Sequence, residues 1–470
     1  MSIKFEDIIK KINLTSNIHK KYKEKVLNDF LKKNSNLSPQ GSTEWHAIRK
    51  YNIGGSEMSV ITGDNPYQKL DDLVAQKIGF TKFNGNLATR WGNLFEPITQ
   101  RIAEIIFDIH EIKETGSLPG VIENQRYSPD GIGIVKLKCS NGNIDTTEYC
   151  TVLFEYKAPF TSIPTGAIPD HYKPQVKTGL CSIPFTDFAI FISNMYRKCS
   201  FDTLGNNKEY DTYFHNKDNN KDLGIEKPLA YGIILFYQTE IQKRQFTDKY
   251  YKTENIDTYS DDDSEDDDDD DDSDPNINKM DILFNNMNIN KKQDNKLYNH
   301  INDLNCEKNK HIKDFGKSSY FEFNDLMSLL DENLISVKYL DPNILPEYNN
   351  NEFIKYQEKK YKYNDVDSVI KKYKELILSG YFNNPKEKTI LLGFLPWKLF
   401  KSDIIHQERE CGYLKKYQNK IDNVIDILKE INNVNNIGEK INIFKKYFPD
   451  TKILKKCGYD NSEYMDFIIE

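Results

Sequence analysis

Thr151-Val152-Leu153-Phe154-Glu155-Tyr156-Lys157 is the stretch from which the fold and the chemistry of this chain are read. Its β-branched and aromatic residues favour a strand. In a strand, side chains two apart share a face. Glu155 and Lys157 therefore project together, while Val152, Phe154 and Tyr156 project to the other side and into a core. A carboxylate beside an ammonium at a strand end can bind a cation and orient, or help deprotonate, a water. The Glu-x-Lys spacing occurs three times, at Glu111, Glu155 and Glu358, so by itself it is mostly solvated charge. The preceding strand and a second acid upstream set Glu155 apart.

That acid is Asp130, in Ser128-Pro129-Asp130-Gly131, the only Pro-Asp-Gly of the chain. Read alone, Asp-Gly is a hairpin turn. Read with Glu155 and Lys157, it completes the D…E-x-K arrangement of the PD-(D/E)XK nucleases. In that chemistry water attacks a phosphodiester in line, and charge builds on the phosphoryl oxygens. One or two Mg2+ ions between carboxylates neutralise it. Hard oxygen ligands select Mg2+, with Mn2+ as a substitute.

Four more motifs accompany this one. Glu44-Trp45-His46-Ala47-Ile48-Arg49 is followed by Ile53-Gly54-Gly55-Ser56-Glu57, and then by Arg90-Trp91-Gly92-Asn93-Leu94-Phe95-Glu96-Pro97. After the strand, Ala158-Pro159-Phe160-Thr161-Ser162 precedes Tyr172-Lys173-Pro174-Gln175-Val176. In this order they resemble the lambda-type exonucleases, the YqaJ-like viral recombinase family of phages and large DNA viruses. The resemblance covers about residues 40–200 and resumes weakly at 389–431.

The resemblance implies roles. Asp130 and Glu155 would bind metal, with the carbonyl of Tyr156 as a third ligand. Lys157 would position the water, Glu96 would serve the second metal or its waters, and Gln175 would orient the lysine or the nucleophile. Arg49 and Ser56, with the backbone after Gly54 and Gly55, would bind a 5′-terminal phosphate through bidentate and close backbone contacts. Bland readings stand beside these. Glu96 lies opposite the apolar stripe Leu87, Trp91, Ile98, Ile102 and Ile105, as a solvated residue would. Gln175 reads equally as an exposed residue, and Arg49 as a surface salt-bridge residue. Trp45 and Trp91 read as core, His46 and His171 as structural. The chain also departs from the family pattern: Ala158 stands where a cysteine often follows the catalytic lysine, and a long insertion interrupts the core.

A length of 470 residues implies two or three units. The formal charge is -8, but Asp261–Asp274 holds twelve acids and no base, leaving -8 + 12 = +4 for the rest. A mildly basic remainder permits phosphate binding without arguing for it. Seven cysteines without a CxxC pair read as reduced thiols of an intracellular protein, against a disulfide framework or structural zinc. Glu6 and Asp7 stand where an export signal would be apolar, and no run reaches the ~20 apolar residues of a membrane span. The expected location is therefore intracellular and non-secreted: the host cytoplasm or a viral replication site if the chain is viral.

The expected division is a helical extension at 1–38, a nuclease core at 39–242 and an acidic disordered linker at 243–280. An insertion of unclear fold follows at 281–387, then the closing strand, its pattern interrupted by Pro396, and helix of the core at 388–432 and an extension at 433–470. The fold class is α/β, a PD-(D/E)XK restriction-endonuclease-like core with a mixed central sheet flanked by helices. The implied activity is Mg2+-dependent 5′→3′ hydrolysis of linear double-stranded DNA, in recombination, repair or viral DNA processing. Its partners would be DNA ends, a single-strand annealing protein and further copies of the chain. Two alternatives remain open here: a structure- or site-specific endonuclease on the same core, and an inactive DNA-binding protein.

Overall fold

Strand β5 (Ile144–Lys157) is the centre of the part that carries the motifs. The structure, a computed structural model, describes residues 5–39, 42–81, 85–109, 112–141, 144–199, 201, 203–204, 228–251, 323–350, 362–378 and 389–458. The acidic run Asp261–Asp274 lies outside them. The chain divides into two units. The first comprises 1–196, 344–363 and 399–470, and the second 197–343 and 364–398.

In the first unit, helix α1 (Phe5–Lys33) precedes α2 (Thr43–Arg49), which Ser42 caps by accepting a hydrogen bond from the Trp45 amide at 3.2 Å. The short strand β1 (Ile53–Gly54) leads into a 3-10 turn at Gly55–Glu57 and helices α3 (Met58–Thr62) and α4 (Leu70–Lys77). Helix α5 (Leu87–Ile106) starts at Asn86, whose side chain accepts from the Thr89 amide at 2.9 Å. Its Trp91, Leu94, Phe95, Ile98, Ile102 and Ile106 recur at helical spacing and are buried.

Strands β2 (Leu118–Pro119) and β3 (Gln125–Tyr127) form a small sheet with β1. The main sheet is mixed, as expected. Strand β4 (Gly131–Asn141) runs antiparallel to β5, and β5 runs parallel to β6 (Phe188–Lys198). Antiparallel strands can be joined by a tight turn, whereas the parallel pair needs a crossover. Helix α6 (Lys173–Ser182) supplies it. β5 differs from the expected one-sided strand: Leu153 and Glu155 are as fully buried as Val152, Phe154 and Tyr156. A strand paired parallel and covered by helices loses its solvent face, and both α5 and α1 pack on β5.

Two apolar clusters hold this unit. In one, Leu27, Tyr127, Leu153, Val176, Leu180 and Phe191 join α1, β3, β5, α6 and β6. In the other, Leu73 and Val74 meet Ile421, Val424, Leu428 and Phe444, from helices Gln418–Asn432 and Ile437–Tyr447.

In the second unit, strand Ala230–Gln238 pairs antiparallel with Ser336–Tyr339. Residues 390–398 of the long strand Ile390–Gln407 also belong to it. The strand continues through Pro396, where the sequence suggested a break, and the Pro396 carbonyl still accepts from the Cys199 amide at 3.0 Å. Proline removes only a donor. Helix Val366–Leu378 is fastened by the Tyr373 hydroxyl, which donates to the Asp341 carbonyl at 2.6 Å.

Candidate active site

The antiparallel register sets Gly131 opposite Phe154, so Asp130, one residue before β4, arrives beside the end of β5. Asp130 Oδ2 accepts from the Tyr156 amide at 2.8 Å. The Lys157 ammonium donates to Glu155 Oε1 at 2.5 Å and to the Tyr156 carbonyl at 2.9 Å, and lies 3.7 Å from Asp130 Oδ2. Oxygens of Glu155, Tyr156 and Asp130 thus surround one positive charge. Glu155 has no exposed surface and Asp130 only 8%.

A residue the sequence reading missed completes Glu155. The Tyr127 hydroxyl donates to Glu155 Oε2 at 3.0 Å. A β-carbon at Gly179 of α6 would run into the Tyr127 ring, so glycine there permits the approach. Nothing in the sequence marks Tyr127 except its position just before Ser128-Pro129-Asp130.

Burial first, and then the neighbouring Asp130 charge, push the Glu155 carboxyl above the ordinary carboxylate range, against Lys157 and Tyr127. Glu96, half-buried on α5, is raised to about 7 by burial, Asp130 and Glu114, with Lys157 opposing. Burial also raises Glu114, which Asp130 and Glu104 reinforce. Burial works against charge on Lys157, but Glu155 and Asp130 overcome it and hold the ammonium above its usual range. Glu96 therefore faces the acid cluster, and the solvated-face reading does not describe its surroundings.

This donor set fits a hard divalent cation. Carboxylate and carbonyl oxygens already converge on one cationic group, and the surrounding acids carry more negative charge than they can comfortably hold. Among the described residues, no three His, Cys, Asp or Glu side chains stand gathered at coordinating separation. Mg2+ is ordinarily bound through one or two carboxylates, with waters and substrate phosphate completing its shell. Asp130, Glu155 and the Tyr156 carbonyl would hold it, with Glu96 nearby.

Raised carboxyl pKa values have a signed consequence. Between the unfolded value near 4.5 and the folded value of about 7, folded Glu96 binds more proton than unfolded Glu96. Its contribution to stability is therefore lost as pH rises through that window. Glu155 acts in the same direction. Metal-free protein should lose melting temperature from this cluster between about pH 4.5 and pH 7, and Mg2+ should raise it more at the upper end than the lower. Thermal scans across pH, with Mg2+ and with chelator, check this; an equal Mg2+ effect at both ends would separate the ion from these carboxyls.

The predicted phosphate-binding residues form a second cluster. Arg49 Nη2 donates to Ser56 Oγ at 3.1 Å and to Glu57 Oε1 at 3.0 Å. The guanidinium lies 4.4 Å from the Trp45 ring centre, an attractive cation–π geometry. A side chain at Gly54 would collide with that guanidinium. The ion pair with Glu57 agrees with the bland reading of Arg49, but the site is half-buried rather than surface. Among the described residues, Arg49 Nε and Nη1 remain without a hydrogen-bond partner.

Glu57 and Lys77 also escaped the sequence reading. The Glu57 carboxylate accepts from the Gly54 amide at 2.7 Å and from Lys77 Nζ at 3.0 Å. Lys77 Nζ also donates to the carbonyls of Arg49 at 2.9 Å and Asn52 at 2.8 Å, tying down the backbone beneath the arginine. Burial opposes the Glu57 charge, yet Lys77, Arg49 and the Gly54 amide hold its carboxyl below the ordinary value. The available signal was Lys77 continuing the buried stripe of Leu73 and Val74, an odd place for a lysine.

Glu96, Asp130 and Lys157 of the first cluster and Arg49, Glu57 and Lys77 of the second line one cleft of about 1890 Å3, together with Ser56, Gly54, Gly55 and Gln175. Gln175 sits half-buried in the first turn of α6. Trp45 is not merely core: its indole donates to Ser128 Oγ at 2.9 Å, two residues from Asp130. Trp91 is fully buried. His171 lines the cleft edge-on to Tyr67, with ring centres 5.6 Å apart.

Residues 44–183 match the family model of the YqaJ-like viral recombinase domain, as the motifs suggested. "Protein D345L" of African swine fever virus is 31% identical over 216 residues in each of two strains or isolates, covering 43% of this chain. The match spans 61% of the length of those relatives. Among solved structures, an alkaline exonuclease (LHK-Exo) from Laribacter hongkongensis is 21% identical, with a TM-score of 0.25, over 32% of this chain and 73% of that one. The same exonuclease in complex with dAMP is 20% identical, again with a TM-score of 0.25.

Proposed function

Taking a YqaJ-like viral recombinase domain at residues 44–183 as the premise, we propose that this chain is a Mg2+-dependent deoxyribonuclease degrading linear double-stranded DNA from its ends in the 5′→3′ direction. The observation that supports it most is the convergence of Asp130, Glu155 and the Tyr156 carbonyl on the Lys157 ammonium, beside a cleft lined by Asp130, Lys157 and Arg49. When bound, the divalent ion neutralises charge on the phosphoryl oxygens. Asp130 and Glu155 hold their oxygens in place through the Tyr156 amide and the Tyr127 hydroxyl. Lys157, kept protonated by its acids, orients the attacking water by donating hydrogen bonds and steadies the developing negative charge. Gln175 and Glu96 line the same cleft, where Gln175 would orient the lysine or the nucleophile and Glu96 would serve a second metal or its waters. Arg49 and Ser56 receive the terminal phosphate, which fixes the scissile bond relative to Lys157. The 3′ strand left exposed is what a single-strand annealing protein would take up in recombination.

Linear duplex labelled at either end, single strand and covalently closed circle, each with and without Mg2+, test the reading. The expected result is metal-dependent loss of the 5′ label first, with the circle intact. Cutting of the circle would favour an endonuclease instead. Arg49→Ala should erase a preference for 5′-phosphorylated over 5′-hydroxyl ends. A charge-assisted contact worth about 1.5–3 kcal/mol corresponds to roughly a tenfold to hundredfold preference. An unchanged preference in that variant removes Arg49 from the site.

A further inference from the structure

Lys21, Lys25, Asn28, Lys32 and Ser35 recur at intervals of four, three, four and three residues. On a helix this spacing makes one stripe. Helix α1 carries the first four, Ser35 lies in the turn that follows, and all five are exposed. Asn28 and Ser35 line the cleft that holds Asp130 and Lys157. The stripe is thus continuous with the wall of the candidate active site. Leu27, on the opposite side, is buried in the core, with Phe30 and Leu31 packed against it, so the helix is anchored and cannot turn its lysines away.

Two other lysines of the helix are engaged. Lys20 lies 3.5 Å from Glu24, and Lys23 2.6 Å from Asp187. Among the described residues, Lys21, Lys25 and Lys32 form no ion pair. Asp29 is the one acid flanking the stripe without a lysine of its own. Lys21 to Lys32 spans eleven residues, or ~16 Å of helix. One DNA strand places about five phosphates in that length. The helix lies before the segment 44–183 that matches the family model.

We propose that Lys21, Lys25 and Lys32 form a rail for the sugar–phosphate backbone of duplex DNA entering the cleft, an addition to the matched domain that strengthens grip on long substrates. The charge is complementary, the spacing suits successive phosphates, and the rail ends at the cleft. The proposal rests on the nuclease reading for its substrate.

Duplex binding by the full chain, measured in chelator so that no cutting intervenes, tests it against salt concentration. Each phosphate contact contributes about 0.9 to the slope of log affinity against log salt. The triple variant K21Q/K25Q/K32Q should lower that slope by roughly 2–3. With Mg2+ it should degrade a duplex of about one helical turn at the wild-type rate, but release long duplexes after shorter runs. An unchanged slope in the triple variant, with wild-type digestion intact, overturns the rail and leaves the nuclease reading standing. A change in self-association with the slope unchanged also overturns it, assigning the stripe to a second copy. A lysine-dependent slope in a chain that digests nothing with Mg2+ supports the rail and sinks the nuclease reading instead.

Discussion

Asp130→Asn is expected to lower the initial rate of Mg2+-dependent duplex digestion by about a thousandfold or more, while the protein melts no lower than wild type. The two halves of that expectation have different causes. A thousandfold is about 4 kcal/mol of transition-state stabilisation, within what a metal site supplies to phosphoryl transfer. Asparagine keeps an oxygen that can accept from the Tyr156 amide, so the local fold is preserved. It removes the charge that raises Glu155, Glu96 and Glu114. Relieving that repulsion offsets the loss of attraction to Lys157, which lies 3.7 Å away. Digestion kinetics over a Mg2+ titration, beside a thermal melt, measure both. Activity within a few-fold of wild type would remove Asp130 from the chemistry.

What the sequence revealed, and what it hid, follows from the range of each interaction. Glu155 and Lys157 share a face because a strand repeats every two residues, and local periodicity is visible in one dimension. Asp130 was found through a motif, yet its nearness to Tyr156 depends on the β4–β5 register. Tyr127 reaches Glu155 only because α6 offers a glycine where the phenol must pass, a three-body condition that no spacing encodes. Lys77 and Glu57 are twenty residues apart and meet through the packing of α4 beneath Arg49. Pro396 misled in the other direction. A proline weakens a strand only on the side where its missing amide would have donated, and sequence does not say which side that is.

The environment of Glu96 was equally undecidable from sequence. Its helix has a clear apolar stripe, and Glu96 stands off it, as any solvated residue would. The fold places that polar side in the cleft that Asp130 and Lys157 also line. Polar helix faces directed into a cleft and into solvent have the same pattern. Only the partners distinguish them.

Lys157→Met is expected to destabilise the metal-free chain by about 3–5 kcal/mol at a pH where wild-type Glu155 is ionised, the usual result of removing one partner from a buried ion pair. Glu155 has no exposed surface and would keep only the Tyr127 hydroxyl. Its escape is to take a proton. The folded carboxyl, already raised by burial and Asp130, would rise further without the ammonium. Folded wild type itself keeps that proton up to about pH 8, so the deficit should grow only above that value, where wild type has released the proton and the variant still holds it. Denaturant unfolding at about pH 6 and about pH 9.5 should show the smaller loss at the first and the larger loss at the second. Adding Glu155→Gln should restore much of the stability, and the double-mutant cycle then isolates the pair from its surroundings. Activity should stay lost in both variants, because the donor proposed to orient the attacking water is gone. A Lys157→Met protein as stable as wild type at both pH values would mean that the lysine does not balance these acids, and the convergence of oxygens on it would no longer point to a cation site.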